Sequence, residues 1–336
     1  MGDYKALLKA DPTDWLLEEE NPSVRYFTLR DLLGKAEDDA DVIAARQAIM
    51  RRGLVRDMLD QQREPVYLQA YPRFYTTKYD GLVWSLITLS ELGATLDEQI
   101  HSQCEYLLDH AQERTDGGFS QHASARNGVG LVSEVIPCLT GNMIWCMLRF
   151  GYIDDPRVIK GLNWLTAFMR FNDGSEDDPQ VAPYAHYDMC WGIHTCHMGI
   201  VKALKALSAV PEERRTPEIN DTIRKASEFM LLHHIYRRSH NLNRASKPGW
   251  LKFGFPLMYQ TDALEILDIL LALSIRDERM DDALRVVIGK QDDMGRWKLE
   301  NTYCSDRLLI PFGKAGEQSK WITLRAMRVL KRAYGG

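Results

Sequence analysis

The side chains best suited to chemistry are concentrated in one short segment that runs from His186 to His197. A continuous helix turns by about 100° per residue, which would bring four of these side chains within about 40° of one line along its surface. They are His186, Cys190, His194 and His197. Such a face could supply a nucleophile, a general acid and base, or zinc ligands, and it could equally be part of a core or line a cavity.

Acidic side chains stand at the start of several apolar segments of the chain. They are Asp80, Asp188 and Asp262, with Asn142 in the comparable place. One interpretation is N-capping, in which a side-chain oxygen accepts hydrogen bonds from the exposed N–H groups of a helix start. The other is a ring of acids around a cavity mouth, where burial would raise one pKa and create a proton donor.

Aromatic side chains are the third feature, because many of them fall in the connections or first turns of the apolar segments. The predicted pocket residues are Tyr79, Trp84, Trp145, Tyr187, Trp191 and Tyr259. Aromatic faces bind apolar molecules and attract cations. Core packing explains many of these positions equally well, so a lined pocket is an expectation that needs the structure.

Two kinds of helical segment position these residues. The first kind is apolar over most of its surface, as in helices buried on several sides, and covers 22–34, 79–93, 140–151, 187–207, 260–273 and 319–333. The second kind is amphipathic and covers 38–62, 96–112, 155–171, 216–234 and 277–291. Their alternation predicts an all-α fold with six inner and up to six outer helices, in a single domain over residues 1–336.

Long connections lead from each outer segment to the next inner one. They cover about 63–78, 113–139, 172–186, 235–258 and 292–318. Ordered loops of this length usually have a function. If the helical hairpins close in a ring, all of these loops emerge where the inner helices begin. We therefore expect a central cavity that opens at the long-loop end.

Two turn motifs resemble those of a known superfamily, the αα-toroid repeat proteins. Gln291-Asp-Asp-Met-Gly295-Arg-Trp297 is similar to the Q-x-x-x-G-x-W repeat of squalene–hopene-type terpene cyclases. Asp116-Gly117-Gly118-Phe119 is similar to the D-G-G-F turn of protein prenyltransferase β subunits. The resemblance implies an (α/α)6 toroid and a substrate that is isoprenoid-like or polycyclic. The chain lacks the D-x-D-D acid of class II terpene cyclases.

The same resemblance implies a zinc site. Asp188-x-Cys190 resembles the D-x-C pair that supplies two zinc ligands in prenyltransferase β subunits. The third ligand of that family is a histidine on the next inner helix, which here begins Tyr259-Gln260-Thr261-Asp262. His194 would have to replace it, so the predicted ligand set is Asp188, Cys190 and His194.

Composition limits the classes of function. The chain has 336 residues, with 42 basic and 47 acidic side chains and a net charge of −5, which does not favour nucleic-acid binding. It has no apolar stretch long enough to span a membrane and no signal-peptide pattern. Six scattered cysteines indicate reduced thiols and a cytoplasmic protein. Phosphate-loop, dinucleotide-binding and serine-hydrolase motifs are absent, and the oligomeric state is left open.

Three hypotheses about function follow. The first is an enzyme that cyclises, isomerises, cleaves or prenylates an apolar small molecule. In it Asp188, Cys190, His194 and His197 form the reactive cluster, with Asp80 and Asp262 across the cavity. The second is a noncatalytic carrier or interaction scaffold. The third is an (α/α)6 carbohydrate-active enzyme, which needs two carboxylates at a defined separation. The acids considered for it are Asp116, Glu134, Asp173, Asp177 and Asp178.

Overall fold

The computed structural model describes residues 4–176, 179–192, 194–302 and 308–335. Its α-helices are α1 (Thr13–Leu16), α2 (Pro22–Phe27), α3 (Ala40–Arg51), α4 (Leu54–Gln61), α5 (Pro65–Gln69), α6 (Leu82–Glu91), α7 (Glu98–His110), α8 (Pro137–Arg149), α9 (Pro156–Phe168), α10 (Asp188–Trp191), α11 (His197–Ser208), α12 (Pro217–Leu232), α13 (Ala263–Ala272), α14 (Asp281–Gly289) and α15 (Lys320–Tyr334). A π-helical turn, Thr28–Leu32, extends α2. One hairpin pairs β1 (Arg237–Arg238) with β2 (Asn241–Ala245).

Several helices begin where a side chain satisfies their free N–H groups. Asp97 accepts a hydrogen bond from the backbone of Ile100 at the start of α7. Ser319 caps α15 in the same way. Proline occupies the first turn of α8, α9 and α12, where its missing N–H has no partner to lose. Local sequence therefore favours the starts of these helices.

The inner helices follow one another around a ring. Helix α8 packs on α6 and α11, α13 packs on α11 and α15, and α15 returns to α2. Each inner helix also contacts the outer helix that follows it, in the pairs α2–α3, α6–α7, α8–α9, α11–α12 and α13–α14. This order of contacts is that of an α/α toroid, so the predicted all-α toroid is confirmed.

The fourth inner segment differs from its prediction. Residues 187–207 were expected to form one helix, but α10 ends at Trp191 and α11 begins only at His197. Gly192 leaves the helical region with φ −45° and ψ −137°. Thr195 instead exchanges hydrogen bonds with Arg170, and Cys196 becomes the cap of α11. The predicted stripe of four reactive side chains on one helical face is therefore wrong.

The Gln291–Trp297 turn packs against the segment from Leu7 to Ala10. The Gln291 side chain bonds to the backbone of Leu7 and Lys9. Gly295 has φ +66°, and a Cβ there would lie 1.9 Å from the carbonyl oxygen of Ala10. Trp297 is fully buried, and its indole N–H donates to the carbonyl of Val287 in α14. In the described part of the chain, no helix is both long and apolar enough to cross a bilayer.

Candidate functional site

A cavity of about 770 Å³ lies within the ring of inner helices. Its rim includes residues 93–96, Gly151, Ala209 and Ala272, which follow or end the inner helices α6, α8, α11 and α13. It therefore opens at the end opposite to the one expected. The long loops explain the difference, since they fold buried side chains such as Phe74, Trp250 and Phe253 over the starts of the inner helices.

Aromatic rings form part of the cavity wall. Phe255 and Trp321 stack with ring centroids 4.4 Å apart and planes 6° apart. Trp145 also lines the wall, and the ammonium of Lys205 lies 3.8 Å from the centre of its ring. A flat apolar molecule could pack on these faces, which are rigid because the side chains are almost fully buried.

Four charged side chains form a buried network beside these rings. The Lys202 ammonium lies 2.7 and 2.8 Å from the two carboxylate oxygens of Glu265, and both side chains are almost completely buried. Lys205 bridges Glu265, at 3.3 Å, and Glu91. Two positive and two negative charges are thus balanced within the network. Glu91, Lys205 and Glu265 line the cavity.

The charge state of the network follows from these contacts. Burial alone would raise the pKa of Glu265, but Lys202, Lys205 and Arg325 lower it to about 2. The pKa of Glu91 is likewise lowered, against burial, by Lys205 and Arg325. Both carboxylates are therefore ionised at neutral pH, when they can accept protons and cannot donate them.

Arg325 is a buried cavity residue whose charge has no direct partner among the described residues. Its side chain lines the cavity and is only 5% exposed. Among the described residues no group accepts a hydrogen bond from its Nη1, and no carboxylate forms an ion pair with its guanidinium. A buried charge without a partner is unfavourable unless something else binds it. An anionic group is the natural partner of a guanidinium.

The cavity rim carries paired charges. Arg328 binds Asp31 at 2.8 Å and also Asp268, and Arg332 binds Asp268 at 2.6 Å. Across the whole lining, seven basic and five acidic side chains are present, although the chain as a whole is acidic. The cavity surface therefore has an excess of positive charge, which attracts anions.

Asp262 is fully buried and acts as a cap. One of its oxygens accepts from the backbone N–H of Glu265 at 2.8 Å and the other from Gly254 at 3.0 Å. Burial raises its pKa to about 6. Asp80 and Asp188 are exposed, and Gly81 rather than Asp80 directly precedes α6. None of the three aspartates lines the cavity, so the expected ring of acids around its mouth is wrong.

The Cys190 and Cys196 thiols are close enough for each to shift the pKa of the other. The backbone N–H of Cys196 also bonds to the carbonyl of Cys190 at 2.9 Å. Cys196 caps α11 by accepting from the N–H of Gly199 at 3.3 Å. Hydrogen bonding from Cys190 lowers the pKa of Cys196 to about 7 and raises that of Cys190.

The histidines of the segment separate into two environments. His186 is exposed. His194 and His197 pack against each other and against Phe229 of α12. His197 also packs against His233, which follows α12 and whose Nε2 lies 3.6 Å from Asp173. Burial and the neighbouring histidines lower the pKa of His197 to about 2, so its ring is neutral.

The six aromatic residues predicted to line a pocket lie in different parts of the structure. Trp145 lines the cavity, whereas the other five do not. Trp84 and Tyr259 surround the ammonium of Lys78 at the long-loop end, at 5.2 and 5.5 Å from their ring centres.

The three remaining predicted aromatics lie around that end. Tyr79 packs against Trp84 with centroids 5.6 Å apart. Trp191 is buried against Trp164 and Tyr184, and the exposed Tyr187 donates its hydroxyl to Glu134.

The residues predicted for zinc do not fit the metal. Asp188 is exposed, Cys190 bonds to Cys196, and His194 bonds through Nδ1 to the carbonyl of Thr195. Within the described ranges, no three His, Cys, Asp or Glu side chains are arranged to hold a metal ion.

Of the acids considered for carbohydrate chemistry, Asp116 is exposed and Asp173 lies beside His233 and His194. Glu134 bonds to Tyr187 and His122. Asp177 and Asp178 lie outside the described residues.

Sequence reasoning missed the charged residues of the cavity and of the network beside it. Glu91, Lys202, Lys205 and Glu265 stand in the mostly apolar helices α6, α11 and α13, whereas Arg325 stands in α15 with four other basic residues. A charge on a mostly apolar helix is the signal that could have found the first four, because such a charge is rarely buried without a function or a partner. No comparable signal marks Arg325.

Comparisons with known proteins give remote likenesses. No protein-family model matches the chain, and no curated protein matches it in sequence. A variant of type II terpene cyclase MstE from Scytonema, in complex with geranylgeranyl dihydroxybenzoate, is similar at 15% identity and a TM-score of 0.43, over 94% of this chain and 88% of that one. A family 76 glycoside hydrolase from a bovine Bacteroides thetaiotaomicron strain is similar at 11% identity and a TM-score of 0.46, over 95% and 68%. The fold assignment itself depends on the helix contacts of this chain.

Proposed function

We propose that this protein is a small-molecule enzyme whose substrate is an apolar molecule with an anionic group, bound in the central cavity. The observation that carries the proposal is the buried guanidinium of Arg325, which faces this cavity without an anionic partner. The aromatic faces of Trp145, Phe255 and Trp321 would hold the apolar body. The proposal keeps the apolar substrate of the first hypothesis and adds an anionic group to it.

Proton transfer is the reaction that the network supports best. The ionised carboxylate of Glu91 can remove a proton from a carbon next to a carbonyl or carboxyl group. The ammonium of Lys205, which Glu91 and Glu265 keep protonated, stabilises the negative charge that then develops. Return of the proton to another carbon completes an isomerisation, and loss of a leaving group completes an elimination. Neither step uses the Asp188, Cys190 and His194 cluster.

Two alternative functions, a carrier and a glycoside hydrolase, require different properties of the same cavity. A carrier would bind the same anion and leave Glu91 without a catalytic role. A glycoside hydrolase needs one protonated and one ionised carboxylate. Glu91 is paired with Lys205, and Glu265 with Lys202 and Lys205, so that both carboxylates have lowered pKa values, which disfavours the general acid.

Binding is tested with decanoate and decanol, which share an apolar chain and differ in the charged group. We expect decanoate to bind the wild type more tightly than decanol, as measured by quenching of tryptophan fluorescence. In Arg325→Met this preference should disappear, while Arg224→Met, on the exposed face of α12, should retain it. Equal binding of both probes by the wild type would contradict an anion site.

Catalysis is tested by deuterium exchange. The protein is incubated in heavy water with 3-decenoate, and mass spectrometry follows deuterium incorporation next to the carboxylate. Exchange in the wild type and its loss in Glu91→Gln, with decanoate binding unchanged, would support proton transfer by Glu91. Decanoate binding without any exchange in the wild type would favour the carrier over the enzyme.

A further inference from the structure

We propose that Cys190 and Cys196 are a redox-active pair that closes to a disulfide when a hydroperoxide oxidises the protein. The pair lies at the long-loop end, where α10 ends and α11 begins. Neither thiol lines the central cavity, so the inference is independent of the proposed substrate site.

Backbone geometry already holds the two residues at the distance that a disulfide needs. The hydrogen bond from the Cys196 N–H to the Cys190 carbonyl is 2.9 Å long. With ordinary bond lengths, this bond keeps the two Cα atoms within about 7 Å of each other. Disulfides span about 4.4–6.8 Å between Cα atoms, a range that lies within this limit. The bond could therefore form with little backbone movement.

The two thiols have different surroundings, which assigns their roles. Cys196 stands at the start of the twelve-residue helix α11, and its sulfur accepts a hydrogen bond from Gly199. The position at the helix start and this hydrogen bond both stabilise a thiolate on Cys196. Cys196 is therefore the thiol that the oxidant attacks, and Cys190 is the resolving thiol.

Hydrogen peroxide is the only co-reactant that disulfide formation between these two thiols requires. The Cys196 thiolate attacks one oxygen of hydrogen peroxide, which gives a sulfenic acid on Cys196 and releases hydroxide. The Cys190 thiol then loses its proton and attacks the oxidised sulfur, which forms the S–S bond and releases water. Two thiols are oxidised and one peroxide is reduced.

The other described cysteines lack these features. Cys104, Cys138 and Cys146 are buried, and burial raises the pKa of each thiol. They should react slowly with peroxide. Cys138 is near enough to Cys196 to affect it electrostatically, which makes it the competing partner that an experiment must distinguish.

Peptide mapping tests the pair directly. Trypsin releases Cys190 and Cys196 together in the peptide from Phe171 to Lys202, which contains no other cysteine. The folded, reduced protein is treated with hydrogen peroxide, the remaining thiols are alkylated, and the mass of the peptide is measured by mass spectrometry. We expect the peptide to have lost two hydrogens and to carry no alkyl group on either cysteine. Two alkylated thiols, or a link from Cys196 to Cys138, would overturn the proposal.

Single variants separate the two roles. In Cys190→Ser the sulfenic acid cannot be resolved, so dimedone should label Cys196. In Cys196→Ser no dimedone adduct should form on Cys190 under the same conditions. Cys104→Ser is the matched control and should close the disulfide as the wild type does. Labelling of Cys190 in place of Cys196 would contradict the assigned roles.

Discussion

Replacement of Arg325 by methionine should make the folded protein more stable. Most substitutions of buried residues destabilise, because they remove contacts. Arg325 is different, since its buried Nη1 has no hydrogen-bond acceptor among the described residues. Methionine keeps the apolar stem and removes the charge. A buried polar group without a partner lowers the free energy of unfolding by about 1–3 kcal/mol. Arg325→Met should therefore raise the free energy of unfolding by an amount of this order.

Long-range charges decide the pH at which the effect is largest. Glu91, Glu265, Asp268 and Asp262 all attract Arg325, and the first three have lowered pKa values. With a pKa of about 6, Asp262 is mostly protonated at pH 5 and mostly ionised at pH 8. Its share of the attraction is present only when Asp262 is ionised. The increase in the free energy of unfolding caused by Arg325→Met should therefore be larger at pH 5 and smaller at pH 8.

The assay is thermal unfolding at both pH values, with Arg328→Met as the matched control. Arg328 lies one turn further along α15 in the same cavity but is paired with Asp31 and Asp268. Its removal leaves two partly buried carboxylates with less positive charge beside them, and this should destabilise the protein. For a chain of 336 residues, a gain of about 1–3 kcal/mol corresponds to a rise in Tm of about 1–4 °C. A fall in Tm for Arg325→Met at pH 5 would refute the view that this charge lacks a partner.

Three further predictions concern stability. Lys202→Met should cost about 3–5 kcal/mol in urea unfolding, because it removes the closer cation from the buried Glu265, and an unchanged midpoint would contradict the pairing. An acid with a higher pKa in the folded state loses stability as pH rises between its two values. Relative to Asp262→Asn, the wild type should therefore lose about 2 kcal/mol between pH 4 and 6, and a constant difference would argue against a buried acid. Trp297→Ala should cost about 3–5 kcal/mol because Trp297 is fully buried, whereas the exposed Met294→Ala should cost little; similar effects would contradict the packing role of the turn.

Much of the fold could be predicted from local patterns. Apolar segments bounded by capping residues such as Asp262 and Ser319 become the inner helices, because the helix starts depend on neighbouring residues only. The break at Gly192 was missed, since helical spacing continues through the residues on both sides of it. The competing contacts are long-range, as in the pairing of Thr195 with Arg170. Periodicity alone cannot reveal such contacts.

The candidate site was less predictable than the fold. The cysteines and histidines attracted attention because of their residue types, although their positions depend on where α11 begins. The cavity instead uses Glu91, Lys205, Glu265 and Arg325 from four different helices. Pairing between residues far apart in the chain, such as Lys202 with Glu265, follows from the way the ring closes. Knowledge of the ring contacts is needed before these charges can be placed together.

A crystal structure of the protein with decanoate tests the central claim most directly. We predict the carboxylate within hydrogen-bond distance of Nη1 of Arg325, and the alkyl chain against Trp145, Phe255 and Trp321. Decanoate bound at the long-loop end beside Cys190 and Tyr259, with the central cavity filled only by water, would contradict the account.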